Sequence, residues 1–232
     1  MKTKPIKAII WDLDGTLIDF KINSIKARRK AIKILIKHGI SKEILSSKTP
    51  LLEIVRNSKQ FFLKNGMTEE KINEIIKEVN NAVILVEHEA AIKASLTEGI
   101  IDVLEFAKKK NLKQAVFTYN THRNAKISLE TAGISQYIDD VAGRDDIDNL
   151  KPHPDHLKYL CHRLGVNFDE IVVIGDTGRD IEAALMTNSK SIALNTKIPS
   201  FIKREMFKKA NKIIELNEIP TELIKTLEQF LL

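Results

Sequence analysis

The feature that most constrains the fold is a short apolar run that ends in two acidic residues. Residues 8–11 read Ala-Ile-Ile-Trp, and Asp12, Leu13, Asp14 and Gly15 follow them. A short run without polar residues is typical of a parallel strand that is buried on both faces. Acidic residues at the carboxyl end of such a strand lie where open α/β sheets bind their ligands. This stretch therefore predicts a central strand with a ligand site at its end.

The two carboxylates of this run need a partner of opposite charge. Because Asp12 and Asp14 are close to each other and to an apolar strand, they need either a bound cation or a proton. A divalent metal with oxygen ligands is the simplest solution. Gly15 allows the sharp turn that keeps the backbone close to whatever the carboxylates hold. Taken alone, however, the motif also fits a plain Asp-Gly turn.

Composition places the chain among ordinary globular proteins, with 43% hydrophobic and 29% charged residues in 232. Its one cysteine, Cys161, excludes an internal disulfide and favours a reducing compartment. The apolar run at residues 8–11 is too short for the core of a signal peptide, and no other run is long enough to span a bilayer. We therefore expect a cytoplasmic protein without a membrane partner.

The net charge of +6 is confined to one part of the chain. Residues 17–96 contain 15 basic and 9 acidic residues, whereas the remainder contains 22 of each. A basic segment beside a carboxylate site favours the attraction of an anionic substrate. The same charges also fit a solvated, lysine-rich helical surface, and both interpretations remain open.

Residues 17–96 also differ from the rest in periodicity. Apolar residues recur at spacings of three and four through 24–39, 51–65 and 68–95, which predicts helices. We therefore predict an all-helical insert of four helices at 17–96, between the two parts of an α/β core at 1–16 and 97–232.

The first of these helices carries two arginines beside its apolar side. A helical wheel gathers Ile25, Ile32, Leu35 and Ile36 on one side, with a stripe of lysines next to it. Arg28 and Arg29 lie among or beside the apolar residues. Their guanidinium groups either extend to water or meet an anionic partner.

The remainder of the chain alternates strands and helices. Strands are predicted at 113–118, 137–141, 171–175, 191–194 and 212–216. Helices are predicted at 99–110, 124–132 and 179–186, from the prolines at 152 and 154 to about 164, and from 218 onward. Such alternation predicts a doubly wound parallel sheet. Because parallel strands end at one edge, the groups at strand ends or helix starts can converge: Asp12 and Asp14, Thr118, Lys151, and Asp176 with Asp180. Carboxylates, a hydroxyl group and a cation suit a phosphoryl group.

These residues resemble the four motifs of the haloacid dehalogenase superfamily, in its helical-cap phosphatase branch. The segment from Asp12 to Leu17 fits the first motif, Thr118 the second, Lys151-Pro152 the third, and Gly175-Asp176 with Asp180 the fourth. The similarity covers essentially the whole chain, and it extends to phosphoglycolate phosphatase-like proteins.

The resemblance implies a role for each of these residues. Asp12 would be the nucleophile that forms an aspartyl-phosphate, and Asp14 the acid and base that protonates the leaving alcohol and activates water. Mg²⁺ would be held by Asp12, the Asp14 carbonyl and Asp176. Thr118 and Lys151 would hold phosphoryl oxygens. Asp180 would orient Lys151 or metal-bound water.

A further group of residues lies where it could contact the substrate. The candidate substrate-binding residues are Gly15, Thr16, Tyr119, Asn120, Arg28 and Arg29. Tyr119 stands where relatives usually have asparagine, and Phe20 replaces a small polar residue. His122 either reaches the site or starts a helix, while His88, His153 and His156 are predicted at the surface.

We expect a small phosphorylated substrate hydrolysed in a magnesium-dependent reaction. The nearest alternative is a phosphomutase of the same superfamily. A basic nucleic-acid-binding module without catalysis is another, but the basic segment has few aromatic residues for stacking, so we expect no nucleic-acid partner. A monomer and a homodimer both remain open.

Overall fold

A computed structural model describes residues 4–19, 22–196 and 204–232 of the chain. The chain divides into an α/β unit, Met1–Lys21 with Lys93–Leu232, and a helical unit, Ile22–Ile92. These bounds differ by a few residues from the predicted insert at 17–96, whose role as a cap domain stays a prediction. Phe20 lies outside the described residues.

A six-stranded parallel sheet forms the centre of the α/β unit. The strand order is β3-β2-β1-β4-β5-β6, so that successive strands are added first on one side of β1 and then on the other. The sheet confirms the predicted doubly wound α/β fold. Its strands are β1 (Ala8–Trp11), β2 (Lys113–Phe117), β3 (Asp140–Ala142), β4 (Ile171–Gly175), β5 (Lys190–Asn195) and β6 (Lys212–Glu215).

Among the described residues, three α-helices form the helical unit, and five others belong to the α/β unit. The helical unit contains α1 (Ser24–Lys37), α2 (Leu51–Lys64) and α3 (Glu69–Ala91). The α/β unit contains α4 (Ile100–Lys109), α5 (His122–Thr131), α6 (Pro154–Leu164), α7 (Gly178–Met186) and α8 (Thr221–Phe230). No helix within the three described ranges is both long and apolar enough to cross a membrane.

Strand β1 supplies both hydrophobic cores because successive side chains point to opposite faces. Ile9 and Trp11 belong to the cluster formed with α4, α5 and α8. Ala8 and Ile10 belong to the cluster formed with α6 and α7. All four are fully buried, as predicted for a central parallel strand. The indole of Trp11 still finds a partner, since its Nε1 donates to Gln114 Oε1 at 3.1 Å.

The helical unit is held by a stripe that the helical wheel identifies only in part. Helix α1 buries Ala27, Ala31 and Leu35, which recur every four residues and pack with apolar residues of α3. Ile25 and Ile36, which the helical wheel places on the apolar side, are 50% and 37% exposed. The apolar side of the wheel is therefore only partly the buried side, which Ala27, Ala31 and Leu35 mark. Residues 22–92 form three α-helices and one 3₁₀ turn, Lys42–Ile44, rather than four helices.

Two other boundaries differ from the prediction. Strand β3 was expected at 137–141 but covers Asp140–Ala142, because the chain reaches β2 only at Asp139, whose N–H donates to the Gln114 carbonyl at 2.7 Å. Helix α5 begins at His122 rather than Asn124, because the Thr121 hydroxyl caps it. The remaining helices and strands of the α/β unit lie within about three residues of their predicted bounds.

Candidate active site

The sheet brings the predicted strand-end residues to one edge. Strand β1 lies between β2 and β4 in parallel register, so Asp12, Thr118 and Asp176 follow neighbouring strands at similar levels. All three side chains are buried. This edge lies where the strand order reverses, which is the position at which doubly wound sheets bind ligands.

Lys151 occupies the centre of this edge and is 3% exposed. Its Nζ donates to Asp12 Oδ1, to Asp180 Oδ1 at 2.8 Å and to the Phe117 carbonyl at 3.1 Å. Burial by itself lowers the pKa of Lys151, but the charges of Asp12 and Asp180 outweigh burial and raise that pKa. The charged ammonium form is therefore favoured, and each of its three N–H groups has an acceptor in this structure.

Asp180 is fixed by its neighbours as well as by Lys151. Its Oδ2 accepts hydrogen bonds from the Thr177 N–H at 2.9 Å and the Thr177 hydroxyl at 2.6 Å, which forms the capping box of α7. The backbone of Gly175 lies directly against this carboxylate, since a Cβ there would be 2.4 Å from Asp180 Cγ. Because both of its oxygens are engaged, Asp180 is better suited to orient Lys151 than to hold a ligand.

The acidic residues of this edge form a group that suits a divalent cation. Ligand oxygens of Asp12, Asp176 and Asp180 lie within 4.8 Å of one another. Asp176 Oδ1 is buried and has no hydrogen-bond partner among the described residues. Oxygen donors of this kind suit Mg²⁺ and other hard cations, and the unpaired oxygen is where such an ion fits.

Burial has a large effect on the acidity of these groups. Burial raises the pKa of Asp176 to about 9, and the charges of Asp12 and Asp180 add to the effect. Burial also raises the pKa of Asp12, while the Lys151 ammonium opposes that rise. A dication among the three carboxylates would remove their mutual repulsion and keep them ionised.

Asp14 lies at the more open side of the edge and is half-buried. Asn120 Nδ2 donates to Asp14 Oδ2 at 2.8 Å, and the Asn120 N–H donates to the Thr118 hydroxyl oxygen at 3.0 Å. Because that oxygen accepts from Asn120, its own proton remains available for a ligand. The structure thus links Asp14, Asn120 and Thr118.

The turn after β1 is built from Gly15 and Thr16. Gly15 has a φ of +92°, in the left-handed region that the predicted sharp turn needs. Thr16 is fully buried, and its hydroxyl oxygen has no partner within the described part of the chain.

Tyr119 contacts the Lys151 loop rather than standing free. Its hydroxyl donates to the Lys151 carbonyl, and burial raises its pKa. The Arg179 guanidinium lies 5.2 Å from the centre of the Tyr119 ring. Arg179 was not among the residues predicted from the sequence. Its position between the two acidic residues of the fourth motif was the available signal.

Two further residues differ from, or add to, the expectations. His156 was predicted at the surface, but it is fully buried, and its Nδ1 accepts a hydrogen bond from the Lys151 N–H at 3.1 Å. It was missed because a lone histidine beside a proline-rich turn resembles surface sequence. The spacing of four between His156 and Leu160 on the buried side of α6 was the available signal.

Thr196 was also missed; its hydroxyl donates to Asp176 Oδ2 at 3.2 Å.

The other histidines are more ordinary. His153 is exposed and its side chain caps α6, as expected for a surface residue. His88 is only half-exposed. His122 begins α5, and its Nδ1 lies 2.8 Å from Asp146 Oδ2.

The arginines of the helical unit have different surroundings. Arg28 is half-buried, and its guanidinium donates to the Ser24 carbonyl at 2.9 Å and the Ser24 hydroxyl at 2.8 Å. Arg29 is exposed, and it lines a surface groove together with Lys26, Lys30 and Lys33. Of the two arginines, Arg29 is therefore the one that presents its charge openly to solvent.

Comparison with known proteins identifies the family of this chain. The model of the haloacid dehalogenase-like hydrolase family matches residues 9–194. The phosphoglycolate phosphatase of Aquifex aeolicus is 28% identical, over 84% of this chain and 91% of that protein. The pyrophosphatase PpaX of Oceanobacillus iheyensis is 24% identical, over 82% of this chain and 83% of that protein.

A solved structure extends the similarity to a second activity. The crystal structure of β-phosphoglucomutase from Clostridium difficile superimposes with a TM-score of 0.71 and 25% identity, covering 97% of each chain. A family match over most of the chain, with relatives aligned over most of their own length, establishes membership. The chain therefore belongs to the haloacid dehalogenase-like hydrolase family, as an enzyme of the phosphatase or phosphomutase kind.

Proposed function

We propose that this chain is a Mg²⁺-dependent phosphomonoester hydrolase that acts on a small phosphorylated metabolite through an aspartyl-phosphate on Asp12. The observation that carries the proposal is the buried Lys151 ammonium, which joins Asp12 to Asp180 beside the unpaired oxygen of Asp176. A carboxylate held next to a fixed cation can attack a phosphoryl group whose charge would otherwise repel it.

The metal would be held by the Asp12 carboxylate, the Asp14 main-chain carbonyl and the Asp176 carboxylate. When bound, Mg²⁺ supplies positive charge that neutralises this acidic edge and polarises the phosphoryl oxygens. Asp180 stays outside the ligand set because Lys151 and Thr177 occupy both of its oxygens.

In the first half of the reaction, an oxygen of Asp12 attacks phosphorus and the bond to the leaving alcohol breaks. Asp14 gives its proton to the departing oxygen. The Thr118 hydroxyl donates to a phosphoryl oxygen, and the Lys151 ammonium turns one of its N–H groups from a protein acceptor to another phosphoryl oxygen, as the charge redistributes. The half-buried position of Asp14 supports this role, since it can exchange protons more freely than Asp12.

In the second half, the now ionised Asp14 takes a proton from water, which attacks the phosphorus of the aspartyl-phosphate. The bond between phosphorus and Asp12 breaks, and inorganic phosphate leaves. The hydrogen bond that Asn120 donates to Asp14 Oδ2 fixes the orientation of this carboxyl group for both proton transfers.

Substrate recognition is proposed to involve two groups of residues. Gly15, Thr16, Tyr119 and Asn120 line the turn and loop beside Asp12 and Asp14. Arg28 and Arg29 belong to the helical unit, proposed as the cap. Of the two arginines, Arg29 is the stronger candidate, since neutral acceptors of Ser24 already occupy Arg28.

A phosphomutase is the second candidate function, and the similarity to the β-phosphoglucomutase structure favours it. Such an enzyme would return the phosphoryl group from Asp12 to a sugar rather than to water. We further propose a cytoplasmic enzyme, monomeric or homodimeric, that binds neither nucleic acid nor a membrane.

The test is phosphate release from an aryl phosphate and from a panel of phosphorylated metabolites, with Mg²⁺ or with a chelator. We expect turnover with Mg²⁺ that the chelator abolishes and that Asp12→Asn reduces to background. Asp169→Asn is the matched control, because this exposed aspartate pairs with the exposed Lys4 and should keep full activity.

Two other outcomes would contradict hydrolysis. Isomerisation of a sugar phosphate with little released phosphate would favour the phosphomutase. Hydrolysis that persists in Asp12→Asn would rule out the aspartyl-phosphate.

A further inference from the structure

His156 is a buried titratable group that the proposed reaction does not use. It lies in the first turn of α6 and is fully buried between Lys151 and the ends of β2 and β3. Its ring meets the Phe117 ring edge-on, with the ring centres 5.4 Å apart. A polar ring in such a place needs a partner for each nitrogen.

Both ring nitrogens have one. Nδ1 accepts the Lys151 N–H at 3.1 Å, and Nε2 donates to the Ala142 carbonyl at 3.1 Å. The same Ala142 carbonyl also accepts the Thr118 N–H at 3.0 Å. The imidazole thus connects the main chain of Lys151 to the strand end that carries Thr118.

This arrangement requires the neutral ring with its proton on Nε2, because a backbone N–H can only donate. The charged groups that face the ring are Lys151, Asp146 and Asp180. Burial lowers the pKa of His156 to about 4; the hydrogen bond to Ala142 and the two carboxylates raise it less than burial lowers it. Near neutral pH the acceptor on Nδ1 is therefore always present.

The Lys151 peptide is held from both sides. His156 takes its N–H, and the Tyr119 hydroxyl donates to its carbonyl. A lysine side chain has several rotatable bonds, so an ammonium aimed at two carboxylates benefits from a fixed main chain.

We propose that His156 is a positioning residue, whose neutral imidazole fixes the main chain of Lys151 and so aims the ammonium at Asp12 and the phosphoryl group. The effect of His156 on catalysis rests on the proposed function, because in that function Lys151 acts on the substrate. The effect of His156 on the position of the Lys151 main chain does not depend on that function.

Three substitutions separate the two hydrogen bonds. His156→Asn places an acceptor near the Nδ1 position, His156→Gln places a donor near the Nε2 position, and His156→Leu retains neither. His162→Leu is the matched control, since His162 is exposed on the same helix and should keep full activity.

We expect His156→Leu to lower kcat by about 10- to 100-fold with a smaller change in KM, as for other groups that orient a reacting side chain. His156→Gln should behave like His156→Leu, and His156→Asn should recover most of the loss. Unchanged kcat in folded His156→Leu, or recovery by Gln and not by Asn, would overturn the proposal.

A spectroscopic measurement tests the proposal without requiring any enzymatic activity. Long-range ¹H–¹⁵N NMR of the imidazoles should show the His156 ring protonated only on Nε2, at neutral pH and still at about pH 5. A ring that protonates near the ordinary pKa of about 6.5, or that carries its proton on Nδ1, would contradict it. If wild type hydrolyses no phosphoester but this spectrum is found, the proposed function fails and the positioning of Lys151 stands.

Discussion

The α/β unit and the helical unit handle charge in opposite ways. At the edge of the sheet, Asp12, Lys151 and Asp180 are buried and paired with one another. In the helical unit most charged side chains lie at the surface, as in the exposed pair of Lys26 with Glu89. Buried charges are expensive to leave unpaired, whereas exposed ones contribute little. The difference supports the proposed placement of the chemistry in the α/β unit, whereas the helical unit is built mainly by packing.

The largest expected effect comes from removing a buried charge. Lys151→Ala leaves Asp12 and Asp180 without their cation, which should destabilise the protein by about 3–5 kcal/mol and lower kcat by about 10²- to 10³-fold. Lys33→Ala, an exposed lysine of α1, should change stability by less than about 0.5 kcal/mol. Denaturant unfolding and steady-state assays measure both, and equal effects for the two lysines would abolish the distinction between the units.

The next effect is pH-dependent and belongs to His156. Its pKa in the folded protein is about 4, below the ordinary value of about 6.5. Between these values the unfolded chain binds one more proton, so the free energy of unfolding falls as pH decreases, by up to about 3 kcal/mol. Urea unfolding from pH 7 to 4 measures this decline, and it should be shallower in His156→Gln, which cannot gain that proton.

A smaller effect is expected at Gly175. In Gly175→Ala, the new methyl group would lie about 2.4 Å from Asp180 Cγ, so Asp180 must move and Lys151 with it. We expect a loss of about 1–3 kcal/mol and a clear loss of kcat. The control is Gly66→Ala in the helical unit, where the added Cβ meets nothing within 4 Å but the φ of +76° is unfavourable. Gly66→Ala should lose about 1 kcal/mol and keep its kcat.

The smallest effect on stability is expected at Arg29. Because it is exposed, Arg29→Ala should change the free energy of unfolding by no more than about 0.5 kcal/mol. If Arg29 binds the substrate, Arg29→Ala should have a higher KM for the natural substrate and an unchanged kcat with a small aryl phosphate. An unchanged KM across the metabolite panel would leave Arg29 as surface charge only.

Much of the α/β unit could be predicted because its signals are local. The apolar run that precedes Asp12 and the glycine that follows Asp14 report burial and backbone geometry directly. The run at 171–175 behaves in the same way. The ends of parallel strands then bring their residues together through topology alone, which is why the sequence is sufficient to group Asp12, Thr118 and Asp176.

What could not be predicted depends on contacts between distant segments. His156 was placed at the surface because the proline-rich turn beside it outweighed its spacing of four from Leu160, and its contact with Ala142 comes from a strand that the local sequence does not show. On α1, the helical wheel groups Ile25 with the apolar side, yet Ala27 is buried and Ile25 is half exposed, because burial there depends on where α3 packs. The position of Arg179 between the two acidic residues of the fourth motif could have drawn attention to it, but its contact with the Tyr119 ring is visible only in the structure.

The most direct test of the proposed mechanism is to trap the phosphoryl group on Asp12. Asp14→Asn should react with an aryl phosphate, whose good leaving group needs no acid, but it should then lack the base for hydrolysis. After an acid quench and proteolysis, mass spectrometry should find the phosphoryl group on the peptide that contains Asp12. No phosphorylated peptide, or one that lacks Asp12, while wild type releases phosphate, would contradict the mechanism.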